Sequence, residues 1–153
     1  MPVEIKIVRF PDEILPVAPG VFDDPLDAGA TREFLSDPRH HIAVAVDAGV
    51  IVGFASGVHY VHPDKPVPEL WINEVGVAAG RQGEGIGKLV VGALLEKARQ
   101  LGCSEAWVLT DKTNTAAMRL YTSLGGSEER EQLMFKFPFV GDSPTLAVDW
   151  RKS

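Results

Sequence analysis

The eight residues Arg81-Gln82-Gly83-Glu84-Gly85-Ile86-Gly87-Lys88 are the part of this sequence best suited to hold a phosphate. They stand between a strand-like apolar run, Leu70 to Val77, and a segment with helical periodicity from Ile86 to Leu101. Glycines let a backbone come close to a ligand, and the unpaired N–H groups of a helix N-terminus turn partial positive charge toward it. The spacing excludes two common nucleotide loops. A Gly-x-Gly-x-x-Gly fingerprint begun at Gly83 ends on Lys88, and one begun at Gly85 ends on Val90. A P-loop would need glycine in place of Gln82 and Ser or Thr in place of Leu89. In the preceding run, Glu74 is a carboxylate able to accept a proton.

Other candidate chemistries fail on spacing. His40, His41, His59 and His62 form no helical His-x-x-x-His pair with an acid at ligand distance, so no metal is expected. Gly53-Phe54-Ala55-Ser56-Gly57 resembles a nucleophile elbow with its serine one place late. Cys103 reads as a small apolar residue entering a strand. As the sole cysteine it excludes an intrachain disulfide or a Cys-x-x-Cys pair. Trp71 and Trp107 read as core or cleft-wall packing.

The elements that must position these groups follow from periodicity. Val3, Ile5 and Ile7 alternate as a strand; a short helical piece is expected after Pro11 and a helix over Leu26 to Ser36. Ile42 to Val46 and Val50 to Val61 form a hairpin through Asp47-Ala48-Gly49. The prolines from Pro63 to Pro68 suggest a connection before the Leu70 to Val77 strand. The central helix is apolar at Ile86, Leu89, Val90, Ala93, Leu94, Ala98 and Leu101 and closes at Gly102. A strand is expected at Glu105 to Thr110, a helix at Thr115 to Leu124 ended by Gly125-Gly126, a strand at Leu133 to Phe139, and a weaker one at Thr145 to Trp150. A hairpin followed by helical crossovers implies an α+β fold, three layers with a mixed sheet between helices.

Length and charge bound the rest. The 153 residues, 45% hydrophobic and 24% charged, suit one soluble domain over 1–153. Fifteen Lys and Arg against 21 Asp and Glu leave a charge of −6, a field that repels nucleic acid and attracts cationic small molecules. The longest mostly apolar stretch, Ile42 to Val58, is interrupted by Asp47 and too short to span a membrane. The N-terminus shows no basic leader with an apolar block, so a cytoplasmic location is expected.

Gln82, Gly85 and Gly87, preceded by Arg81, make the pattern Gln-x-x-Gly-x-Gly, which resembles the coenzyme A pyrophosphate loop of the GNAT N-acetyltransferase superfamily. A second match lies at Asn114 to Gly125, an asparagine-led helix carrying Leu120-Tyr121 and closing in Leu124-Gly125. Gly126 departs from the bulkier residue that the family most often has there. Ile72-Asn73-Glu74-Val75-Gly76-Val77, with Asp111 and the Leu120-Tyr121 helix, is similar to the GNAT-type aminoglycoside 3-N-acetyltransferases.

The resemblance implies a GNAT fold with a mostly antiparallel central sheet, and an enzyme that moves an acetyl group from acetyl-CoA to a primary amine in a ternary complex. It implies Glu74 as the base, acting through water, and Tyr121 as the acid that protonates the leaving thiolate. Cofactor contacts are expected from Val75, Gly76 and Val77, from Arg81, Gln82, Gly83, Glu84, Gly85, Ile86, Gly87 and Lys88, and from Asn114 and Ala117. A backbone N–H of Val75, Gly76 or Val77 would hold the oxyanion where the strand splays. Asn114 also suits a helix cap. Glu69, Asn73 and Asp111 are the acceptor-side candidates, with Asp64 a weaker one. The acceptor is read as a small polycation such as an aminoglycoside; alternatives are a polyamine, an amino acid, a protein N-terminus, or a non-catalytic acyl-CoA-binding module. Homodimerisation is a family tendency to which the tail from Pro138 could contribute.

Overall fold

In the computed structural model, which describes residues 2–140, five strands form one sheet in the order β1-β2-β3-β4-β5. They are β1 (Glu4–Val8), β2 (His40–Asp47), β3 (Val50–His62), β4 (Lys65–Val77) and β5 (Ala106–Val108). The first three pairings are antiparallel and the last is parallel, so the expected mixed sheet is what forms. Helices α1 (Ala28–Ser36), α2 (Ile86–Gln100) and α3 (Thr115–Ser123) accompany it, with 3₁₀ turns at Pro11–Glu13 and Ala79–Arg81. No helix among the described residues is long and apolar enough to cross a membrane.

Local chemistry explains most boundaries. The β2–β3 turn places Ala48 and Gly49 at φ 49° and 78°, the double left-handed geometry of a two-residue hairpin. Asp27 starts α1 by accepting from the Ala30 N–H at 2.7 Å, two residues after the helix is expected to begin. Gly102, at φ 77°, closes α2. Along α2, Ile86, Val90, Val91, Leu94 and Ala98 are buried against the sheet, whereas Leu89, expected on that stripe, is 48% exposed. Val91 takes its place because the buried stripe is centred one residue further round.

Of the proline cluster at Pro63 to Pro68, only Pro63 lies in a connection, the turn with Asp64, since β4 already begins at Lys65 and contains Pro66 and Pro68. Leu70 donates its N–H to Glu105 O on the β5 side, so Pro66 and Pro68, of the same parity, turn their hydrogen-less nitrogens to that side. There β5 has not yet begun, and no ladder bond is lost. The strand expected over Glu105 to Thr110 is only Ala106–Val108, because β4 supplies partners no further than Ile72. The strand expected at Leu133 to Phe139 does not form among the described residues: Leu133, Phe135, Phe137 and Phe139 are exposed and no described edge pairs with them. The weaker expectation at Thr145 to Trp150 lies outside the described residues.

An N-terminal segment pairs beside β3 through a parallel bridge between Val17 and Ile51, and then passes over the sheet face opposite α2 at Val21 and Phe22. Ile51 donates to Pro16 O at 2.8 Å and Ala18 to Ile51 O at 2.9 Å, while Phe22 stacks on Phe54 with centroids 3.9 Å apart. This anchoring carries Gly20, Val21 and Asp23 to the mouth of the cleft described next.

Candidate active-site cleft

A cleft of about 920 Å³ opens where β4 and β5 part company, bounded by the start of α2 and by α3. Its origin is one extra residue. Ser56 faces Glu74 and Gly57 faces Ile72, so Asn73 is a β-bulge in β4. Before the bulge, Leu70 sends its N–H toward β5; after it, Ala78 sends its N–H to Val52 O on the β3 side. Strand alternation then aims the Val75 and Val77 N–H groups at the open edge and the Gly76 N–H at β3. Of the three backbone candidates, two therefore present free donors to the cleft. Gly76 has a different reason to be glycine: a Cβ there would overlap Val21 O of the crossing segment.

The glycine-rich turn forms a second set of donors. Gly83 and Gly85 have φ of 84° and 83°, and ideal Cβ atoms at either meet nothing within 4 Å, so the loop is open as well as left-handed. Gly85 caps α2 without any side-chain bond, which leaves the N–H groups of its first turn for an anion. At Gly87 a Cβ would come 2.7 Å from Leu120 Cδ1, so a side chain there would displace the tip of Leu120 where α2 and α3 meet. Gln82 and Lys88 line the same wall as Gly83, Gly85, Ile86 and Gly87.

Arg81 and Glu84 stand differently. Arg81 Nη1 lies 2.6 Å from Asp47 Oδ2 and its Nε 2.9 Å from Glu84 Oε2, so its guanidinium ties the loop to the β2–β3 turn. Asp47 first and Glu84 second hold it still more firmly charged than a free arginine. Arg81 borders the cleft, whereas Glu84 faces Arg81 outside the lining.

From α3, Asn114 accepts from the Ala117 N–H at 3.0 Å, capping the helix, and both border the cleft with Tyr121. Tyr121 is half-buried, and burial pushes its phenol above the ordinary tyrosine value, which keeps it protonated. Glu74 and Asn73 reach the cleft from β4 and are exposed. Of the acceptor-side candidates, Asn73 alone borders this cleft. Glu69 binds His62 Nε2 at 3.0 Å near the far end of β4, and Asp111 is turned to the Thr113 N–H and Oγ1, which hold its carboxyl below the usual range. Asp64 lies 3.6 Å from Lys65 in the turn between β3 and β4. The cleft also contains Asp23, which no sequence motif marks, together with Phe54 and Arg119, which lie within named segments without being singled out as site residues.

The donor set suits a diphosphate: an uncapped helix start, an open glycine loop, and Lys88 and Arg119 nearby. Family comparison agrees with this chemistry. Residues 9–125 match the Acetyltransferase (GNAT) family, and the chain belongs to it. Acetyl-CoA is the donor that this family uses, and related folds are solved with CoA or a CoA conjugate.

Among its relatives, N-alpha-acetyltransferase RimI of Mycobacterium tuberculosis is 36% identical over 105 residues, covering 69% of this chain and 63% of that one. N-acetyltransferase 8 of Rattus norvegicus is 29% identical over 70% of this chain and 48% of that one. Mycothiol acetyltransferase of Thermobispora bispora is 34% identical over 61% of this chain and 32% of that one. The chain thus spans less than two thirds of each of these relatives. An aminoglycoside acetyltransferase from an uncultured soil metagenomic sample, solved with sisomicin, shares the fold at TM-score 0.69 and 23% identity, with 78% of each chain covered. Aminoglycoside N-acetyltransferase AAC(6')-Iy, solved with CoA, does so at TM-score 0.61 and 24% identity, over 72% of this chain and 84% of that one.

Proposed function

We propose that this chain is an acetyl-CoA-dependent N-acetyltransferase for a primary amine on a small cationic acceptor, with an aminoglycoside-like amino sugar as the leading class. One observation carries the reading: the uncapped start of α2, the open edge of β4, Glu74 and Tyr121 all border the same cleft. The relatives named above act on several kinds of acceptor, so the family leaves the amine open. The net charge of −6 favours a cation. The sequence likeness of Ile72 to Val77 reads the acceptor position as a 3-amino group, while AAC(6')-Iy is of the 6′ type.

Bound acetyl-CoA supplies a thioester carbonyl that a neutral amine attacks, releasing coenzyme A. The N–H groups of Gly83 to Lys88 hold the diphosphate, and Asn114 and Ala117 border the path of the pantetheine arm. An alkyl amine is mostly protonated at neutral pH, so a proton must first leave it. Glu74 accepts that proton through water, and the Val75 or Val77 N–H holds the negative charge that develops on oxygen. Tyr121 gives its phenolic proton to the departing sulfur and is reprotonated from solvent.

Release of free thiol, followed over aminoglycosides, polyamines, amino acids and peptides, tests the reading. Amine-dependent release with a cationic acceptor is expected, and mass and NMR analysis of the product gives the acetylated position. Saturable acetyl-CoA binding with no release on any amine would instead favour a non-catalytic acyl-CoA-binding module.

A further inference from the structure

Beyond the cleft, the sheet face that carries Glu74 continues over an aromatic floor with a second carboxylate at its far end. Register fixes the arrangement. Ser56 faces Glu74, Val58 faces Trp71 and Tyr60 faces Glu69, so Glu74, Trp71 and Glu69 share the side opposite α2. Trp107 of β5 faces Trp71 across the parallel pair. The two indoles stack with centroids 5.1 Å apart and planes 6° from parallel. Trp107 Nε1 donates to Tyr60 Oη at 2.6 Å, which locks the ring, and Trp71 remains 38% exposed.

At the far end, His62 engages Oε2 of Glu69 at 3.0 Å and leaves Oε1 outside that bond, with 17% of the Glu69 side chain still exposed. Ser56 and Tyr60 are four residues apart on β3, so Glu74 and Glu69 stand about 13 Å apart along the floor.

Resting on the acetyltransfer reading, we propose that the acceptor is a dication: its reacting amine meets Glu74, its apolar or ring-shaped body lies on Trp71 and Trp107, and a second ammonium group sits at Glu69. Each part has its physical counterpart. Indole faces attract both aliphatic C–H surface and cations, and a half-buried carboxylate binds ammonium better than an exposed one. A monoamine of the same length keeps the first two contacts and lacks the third.

The test compares α,ω-diamines from 1,4-diaminobutane to 1,10-diaminodecane with ω-amino alcohols of the same lengths, by thiol release from acetyl-CoA. The expected ratio of diamine to amino-alcohol kcat/KM rises with length, to about tenfold for diamines able to bridge about 13 Å. Glu69→Gln should bring that ratio close to one at every length. Trp71→Ala should raise KM for long diamines more than it lowers kcat, and Trp71→Phe should restore most of the loss. Circular dichroism and acetyl-CoA calorimetry on each variant verify that the fold is kept. Turnover of both amine series with no length-dependent preference, or a preference untouched by Glu69→Gln in folded protein, overturns the dication proposal and leaves acetyltransfer standing. Absence of thiol release with every amine overturns both.

Discussion

At the residue scale, Glu74 and Tyr121 are separated by function more than by place, since both border one cleft but differ in environment. Glu74→Gln keeps the shape of the side chain and removes the proposed base; kcat is expected to fall roughly a hundredfold, with acetyl-CoA affinity within about twofold of the parent. Tyr121→Phe removes the proposed acid and is expected to lower kcat by about one to two orders of magnitude. Because burial raises the Tyr121 phenol, proton donation is present below that raised value and lost above it. The parent's kcat should therefore hold past pH 10 before falling, and Tyr121→Phe should abolish that limb. Loss of cofactor binding with turnover retained would refute the assignment for either residue. A second titration belongs to stability. His41 is buried with its Nε2 2.7 Å from His59 Nδ1, and burial first, then His59, Lys97 and His40, lower it from 6.5 to about 4. Unfolded chains bind that proton more readily, so stability is complete above pH 6.5 and is lost as pH falls toward 4, by about 1 to 3 kcal/mol. Thermal melts across that range should show the slope, and His41→Gln should flatten it.

At the element scale, the decisive feature is how α2 begins. A left-handed glycine cap without a side-chain partner leaves its first N–H groups available, and Gly87 makes room for the Leu120 tip of α3 beside the cleft. Gly87→Val is expected to push Leu120 away and weaken acetyl-CoA binding about tenfold, and Gly85→Ala to add strain of about 1 to 2 kcal/mol at its positive φ. Calorimetry and melting curves measure the two effects. Much of this was legible in the sequence, because glycine spacing and the Asn114 cap act over a few residues. The β4 bulge was not. Nothing in Asn73 itself announces an extra residue; it is visible only as a register change against β3, and it is what turns Val75 and Val77 to the open edge. The short β5 and the early start of β4 escaped for the same reason, since a strand's ends depend on where its neighbour stops. Arg81, expected among the cofactor contacts, borders the cleft, and its ion pairs with Asp47 and Glu84, which no local spacing announces, also brace the loop.

At the scale of the whole molecule, three distant parts of the chain meet at one opening: a crossing segment near residue 21, the β4 edge and α2 start near 76–88, and α3 near 114–121. Sequence periodicity located the second and third and gave no signal for the first, whose place is set by backbone bonds to Ile51 and the Phe22–Phe54 stack. On the proposed function, their convergence shapes the cleft to receive a long, flexible thioester held by its diphosphate. Calorimetric titration with acetyl-CoA and with S-acetyl-4′-phosphopantetheine, which lacks the diphosphate bridge, tests that grip directly. Saturable binding of acetyl-CoA at one site per chain is expected, with the shorter thioester roughly a hundredfold weaker, a loss of about 2.7 kcal/mol. Equal affinity for the two, or no heat with either, would contradict it.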